Sequence, residues 1–275
     1  MATPVGDSYA VASGGVIAAG RHRIVGDQRI TIWGQSNAWG QGLLSDLSAA
    51  PLSSDSGLAA FGAGTFDRVW IRQADGSYLK LSPSSQITWL AAAGCFGPEF
   101  GLAVRWMRET SSGNLFIDKN AGSGIDIYGF RIDGSGYISD GVGGRWTASN
   151  TWLSSHGYTV TNAGWIWVQG ESDYAQTQAY YQNALQVIIN QRTADGLQNA
   201  ATKRVLWQMT PGSNKYAQTV FDAKAAIAAA SPSNTTAPVM PNYFNADNLH
   251  ISARGPLQLA YDSFSTIFGF PAKAA

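Results

Sequence analysis

Arg29-Ile30-Thr31-Ile32-Trp33-Gly34-Gln35-Ser36-Asn37 decides how this 275-residue chain is read. A short run rich in β-branched and aromatic residues stops at a glycine, the pattern of a buried strand. A serine stands just past its end. The same grammar recurs downstream. Leu115-Phe116-Ile117 runs into Asn120-Ala121-Gly122, and Trp165-Ile166-Trp167-Val168 ends at Gln169. Val205-Leu206-Trp207-Gln208-Met209 reads as a further strand. Helical spacing fills the intervals. Phe100, Ala103, Val104 and Met107 share one face after Gly97-Pro98-Glu99, and Tyr181, Ala184, Leu185 and Ile188 share another. Two more helices are expected over roughly 216–230 and 255–267. Strands alternating with helices predict an α/β fold with a mainly parallel sheet covered on both faces. Such sheets bind ligands beyond the carboxyl ends of their strands, where Ser36, Gly122 and Gln169 fall.

The remaining segments complete the plan. Val69-Trp70-Ile71 and Tyr78-Leu79-Lys80-Leu81 flank Asp75-Gly76 and predict a hairpin. Residues 44–64, rich in Ser, Ala and Gly, read as loop. A Gly-rich stretch of about 129–160 reads as an inserted loop or small hairpin within a single domain over 29–270. Residues 1–28 read as an N-terminal arm. Ser172 or Asp173 is expected to cap the helix after the Trp165 strand.

Composition narrows the partners. A formal net charge of zero with 13% charged residues points away from nucleic acid and from anionic membranes. Cys95 is the single cysteine, which excludes an internal disulfide framework. His22, His156 and His250 lack zinc-ligand spacing, so no metal or other cofactor is expected. Residues 1–20 lack the basic start and apolar run of a signal peptide or membrane anchor. Abundant Gly, Ser, Thr and Trp with few Lys lean toward a secreted or virion-attached protein.

Chemistry enters with Asp247-Asn248-Leu249-His250. An Asp three residues before a His can sit behind the imidazole, fixing its tautomer and stabilising the imidazolium formed when it takes a serine proton. Ser36 then becomes a nucleophile rather than a helix cap. Three groups are candidate donors to the oxyanion of an acyl-transfer intermediate: the Ser36 amide, the Gly122 amide and the Gln169 side chain. Gln35, Asn37 and Glu171 are expected to support them by hydrogen bonds. Glu171 and Asp173, at i and i+2, usually point apart and do not read as a glycosidase pair. Trp39, Trp146 and Trp152 are candidate stacking platforms for sugar rings, whereas Trp33, Trp165, Trp167 and Trp207 lie in strands and read as core.

Gly34-Gln35-Ser36-Asn37, Gly97-Pro98-Glu99, Trp167-Val168-Gln169-Gly170-Glu171-Ser172-Asp173 and Asp247-Asn248-Leu249-His250 together resemble the SGNH hydrolases. Within them the chain is similar to the branch containing sialate O-acetylesterases and acetylxylan esterases, over about residues 29–265. The resemblance implies a three-layer α/β/α sandwich of flavodoxin-like type with a five-stranded parallel sheet. It implies Ser36 as nucleophile, His250 as base and then acid, Asp247 as its orienter, and Gly122 and Gln169 as oxyanion donors. The implied substrate is an acetylated carbohydrate. The chain departs from the pattern at Ala121 and Ala38, where the family usually has Gly and Met. Three other readings stay open at this stage: an inactive glycan-binding domain, a virion or tail accessory domain, and a lipase or thioesterase of the same fold.

Overall fold

The computed structural model describes residues 24–83 except 25, 91–131 except 92, and 139–275 except 241. The arm expected over 1–28 therefore lies largely outside the described residues, and its last two positions, Asp27 and Gln28, already belong to the first strand.

Five parallel strands form the centre of the sheet: β1 (Asp27–Gly34), β3 (Val69–Arg72), β6 (Leu115–Ala121), β7 (Val160–Val168) and β8 (Lys203–Trp207). The sheet extends beyond the five expected strands to seven, in the order β4-β3-β6-β1-β7-β8-β9. The additions are edge pieces. The short β4 (Tyr78–Lys80) turns back antiparallel on β3 through Asp75-Gly76, where Gly76 takes φ +89°. The two-residue β9 (Thr235–Thr236) lies parallel to β8. A separate two-stranded ribbon joins β2 (Gly42–Leu43) to β5 (Cys95–Phe96).

Alternation along the strands sorts side chains into two cores. Ile30, Ile32, Ile166, Val168, Val205 and Trp207 pack with α3 (Pro98–Glu109) and α7 (Arg254–Phe268). Trp33, Trp165, Trp167 and Leu206 pack with α5 (Gln178–Ala194) and α6 (Gln218–Ala230) on the opposite face. Strand tryptophans are core, as their period-2 placement requires. Among the described residues no helix is long and apolar enough to cross a membrane.

Three local expectations change. Residues 44–64 contain 3-10 turns at Leu44–Ser48 and Leu52–Ser54 and the helix α2 (Ser56–Ala63), whose first turn is capped by Asp55 accepting from the Gly57 N–H at 3.2 Å. The Gly-rich stretch holds the 17-residue helix α4 (Ser139–Ser155) instead of a hairpin. Its glycines disfavour a helix intrinsically, but Trp146, Ser149 and Leu153 fall on one buried face and tertiary packing prevails. The part of that stretch at 132–138 lies outside the described residues. Finally, Thr177, not Ser172 or Asp173, caps α5, its hydroxyl accepting from the Tyr180 N–H at 3.2 Å.

The four-residue helix α1 (Ser36–Trp39) follows β1 through Gly34, which takes φ +154°. A Cβ there would lie 1.9 Å from the Val168 carbonyl oxygen on β7. Only glycine lets β1 and β7 close together under the serine. Gly34→Ala is expected to lower unfolding free energy by about 3 kcal/mol or more, since overpacking and a disallowed φ act together. Urea denaturation checks this, and a loss within 1 kcal/mol would contradict the close approach.

Candidate active site

Ser36 opens α1 at the carboxyl end of β1, and its amide N–H has no acceptor among the described residues. Asp247 and His250 sit on a tight loop whose neck is closed by an antiparallel bridge between Phe244 and Ile251. Asn248 takes the left-handed φ of +53°, which asparagine tolerates better than most residues. The turn brings Asp247 Oδ2 to 2.6 Å from His250 Nδ1, while Oδ1 accepts the Leu249 and His250 N–H groups at 2.9 and 3.0 Å. Partial burial works against the Asp247 charge, but these hydrogen bonds outweigh it and hold the carboxyl below its ordinary range.

Asn37 joins this loop to the serine turn. Its side chain is fully buried. Nδ2 donates to the Leu249 carbonyl at 3.2 Å and to Glu171 Oε1 at 2.8 Å, and Oδ1 accepts the Ile251 N–H at 3.0 Å. The residues on both sides of His250 are thus held by the residue next to Ser36. Gln35 makes the matching link on the other flank, where its Oε1 accepts the Ser172 N–H at 3.2 Å. Gln35, Asn37 and Glu171 thus join the segments on either side of the serine turn by hydrogen bonds.

Two expected oxyanion donors are engaged elsewhere. Gly122 extends the β1–β6 ladder, its N–H donating to the Gly34 carbonyl at 3.2 Å. Gln169 is fully buried. Its Nε2 donates to the Ile125 carbonyl at 3.2 Å and to Asp173 Oδ2, and its Oε1 accepts the Tyr181 hydroxyl at 2.7 Å. A side chain placed as the floor of the site cannot also point into it. Of the three, the Ser36 amide is the donor left unengaged.

The tryptophan platforms also move. Trp146 is buried beneath the Arg29 guanidinium, 3.6 Å from its ring centroid, with its indole N–H on the Asp195 carbonyl at 3.1 Å. Trp152 stacks on His156 with centroids 3.9 Å apart and packs with Trp70, Tyr78 and Tyr158. Tyr158 precedes the start of β7, so this cluster lies at the opposite end of the strands from Ser36. The physical reason is α4, which buries the Trp146 indole and lays the half-buried Trp152 against the aromatic cluster. Trp39 stays beside Ser36 and is half-buried.

Sequence reasoning missed two buried lysines. Lys224 sits in the apolar stripe of α6, between Val220, Ala223 and Ile227. Its ammonium caps the ends of two strands by donating to the Trp207 carbonyl at 2.6 Å and to the Gln169 carbonyl. Burial lowers its pKa to about 8 against the opposing pull of Glu171 and Asp173. A lysine inside an otherwise apolar helical face was the available signal. Lys119, on β6, forms a fully buried ion pair with Glu99 at 2.6 Å and holds the Trp39 carbonyl at 2.5 Å, fixing the far end of the serine turn. Among the described residues no cluster of three or more His, Cys, Asp or Glu side chains is arranged to hold a metal ion.

Burial raises the carboxyls beneath the site. Glu171 is pushed up, offset partly by Lys224 and by the Asn37 hydrogen bond. Burial likewise raises Asp173 to about 6, against hydrogen bonds from Gln169 and the Ile127 N–H. A carboxyl raised in the folded state stabilises the fold while protonated and withdraws that support as pH climbs from the unfolded value of 3.8 past about 6. Relative to Asp173→Asn, the wild type is expected to lose about 3 kcal/mol across that window. Parallel stability curves for the two proteins from pH 4 to 7 would contradict it.

Breaking the Glu99–Lys119 pair from one side leaves a buried charge uncompensated. Glu99→Gln is expected to cost about 3–5 kcal/mol, and Glu99→Gln with Lys119→Met to recover much of it, as read by denaturation in a double-mutant cycle.

Known proteins give the chain a family and a fold. Residues 28–265 match the profile of the family described as carbohydrate esterase, sialic acid-specific acetylesterase. Among solved structures, a protein from Arabidopsis thaliana superposes with a TM-score of 0.63 at 19% identity, covering 88% of this chain and 99% of that one. A carbohydrate acetylesterase from Xanthomonas citri gives a TM-score of 0.55 at 16% identity, over 88% of this chain and 57% of that one. The protein named NanS gives 0.51 at 14% identity, over 88% and 97%. At these identities the likeness is one of fold. A sequence search of curated proteins finds no match.

Proposed function

Because the chain belongs to the carbohydrate esterase family of sialic acid-specific acetylesterases, we propose that it removes acetyl groups from O-acetylated sugars by a Ser-His-Asp mechanism through an acetyl-enzyme. The observation that carries the reading is the 2.6 Å Asp247–His250 bond on a loop tied to the serine turn by Asn37. With Nδ1 facing Asp247, His250 keeps Nε2 as the nitrogen that accepts the Ser36 proton. Ser36 Oγ attacks the acetyl carbonyl, and the oxyanion meets the Ser36 amide at the N-terminus of α1. His250 returns the proton to the departing sugar hydroxyl. It then activates the water that releases acetate. Asp247, an acceptor held ionised by its three hydrogen bonds, stabilises the imidazolium in both halves.

The substrate is an acetylated carbohydrate, and the chemistry as drawn calls on protein groups alone. Acetate release is to be measured on acetylated xylan, O-acetyl sialic acid and 4-nitrophenyl acetate. Ser36→Ala is expected to lower turnover at least ~10³-fold, and Asp247→Asn by about 10²–10⁴ with the fold retained. Turnover that survives Ser36→Ala removes the serine mechanism. Folded wild type that binds glycans without releasing acetate supports an inactive binding domain instead, and a preference for long acyl chains supports a lipase.

A further inference from the structure

Two turns meet at the edge of this site, and neither has a role in the chemistry above. Tyr174 follows the Glu171–Asp173 turn, whose Ser172 N–H is bonded to Gln35 beside the serine. The turn is closed by the Gln176 N–H on the Asp173 carbonyl at 2.9 Å, and Asp173 is anchored below by Gln169 and by the Ile127 N–H. The ring itself is 49% exposed. Lys215 comes from the loop between β8 and α6. Its neighbour Asn214 donates its backbone N–H to the Asn248 carbonyl at 3.0 Å and its side-chain amide to the Asp247 carbonyl at 2.8 Å. The Lys215 ammonium lies 3.8 Å from the centroid of the Tyr174 ring. An exposed aromatic ring is thus held from two sides by the same loops that hold Ser36 and His250.

We propose that Tyr174 forms a sugar-binding rim, with Lys215 seated on one face of its ring and a pyranose ring of the acetylated substrate lying against the other. This rests on the carbohydrate-esterase reading. The physical case is that a sugar presents C–H groups to an aromatic face and oxygens around its edge. Tyr174 supplies the contact to the C–H face, and Lys215 fixes the ring from behind by cation–π attraction. Trp146 is buried and Trp152 lies at the opposite end of the strands, whereas Tyr174 is exposed on a turn bonded to Gln35 beside Ser36.

The test compares kcat and KM on the O-acetylated saccharide that the wild type cleaves best with those on 4-nitrophenyl acetate, which has no pyranose ring. Tyr174→Ala is expected to reduce kcat/KM on the saccharide about tenfold, mainly through KM, equivalent to about 1.4 kcal/mol. The aryl ester should change less than twofold. Tyr174→Phe keeps the ring and should retain wild-type values on both. Lys215→Met should weaken the saccharide alone, by about threefold or more. Equal losses on both substrates, no loss on the saccharide, or a Phe variant as poor as Ala would overturn the rim. A wild type that cleaves the aryl ester in a Ser36-dependent manner but no saccharide would instead remove the carbohydrate reading, and the rim with it.

Discussion

A single buried amide governs the geometry of this site. Asn37 makes three hydrogen bonds that reach Glu171, Leu249 and Ile251, residues 134 to 214 positions away in the chain. A buried amide left without partners costs about 1–3 kcal/mol, so the serine turn and the histidine loop have only one favourable way to meet. Fit matters to catalysis of this kind, because a misplacement of about 1 Å can cost 10²-fold in rate. Ser36 comes from the end of β1 and His250 from a loop late in the chain. Asn37 holds them to one another.

Beneath this contact lies an unusual amount of buried charge. Glu171, Asp173 and Lys224 gather under the serine turn, and Glu99 and Lys119 flank it from behind. Ionised groups withdrawn from water are costly unless paired and hydrogen-bonded, and replacing such a pair with apolar residues is often neutral or better for stability. Their presence here is understood through position. Lys224 closes the carboxyl ends of β7 and β8, and Lys119 holds the carbonyl that ends the serine turn. Both fix backbone close to Ser36. Glu171 is compensated on one side by Lys224 and on the other by Asn37, so electrostatics under the site and geometry above it meet in one carboxylate.

Much of the fold was legible because period and punctuation agree. The β-rich runs at 29–33 and 165–168 each end at a turn carrying chemistry, and the helices after them show one apolar face. Misreadings occurred where local preference and tertiary packing disagree. Gly141, Gly143 and Gly144 argue against a helix, yet α4 forms, buries Trp146 and packs Trp152 into an aromatic cluster away from Ser36. Gln169 sits in the expected motif, but its amide is taken up by Asp173, Ile125 and Tyr181. No spacing rule reveals which way a side chain at a strand end will turn. Lys224 was hidden for the reverse reason, since helix periodicity marks its position as buried without naming the two strand ends that receive its ammonium.

The sequence by itself determined the α/β class, the order of the central strands and of α3, α5, α6 and α7, and the local Asp247–His250 turn, because each depends on neighbours within a few residues. Tertiary structure decided which amides remain unengaged near Ser36, which aromatic rings face solvent, and where the buried lysines end. Those outcomes depend on contacts between segments far apart in the chain. They follow from the cost of leaving a buried donor or charge without a partner when the layers close.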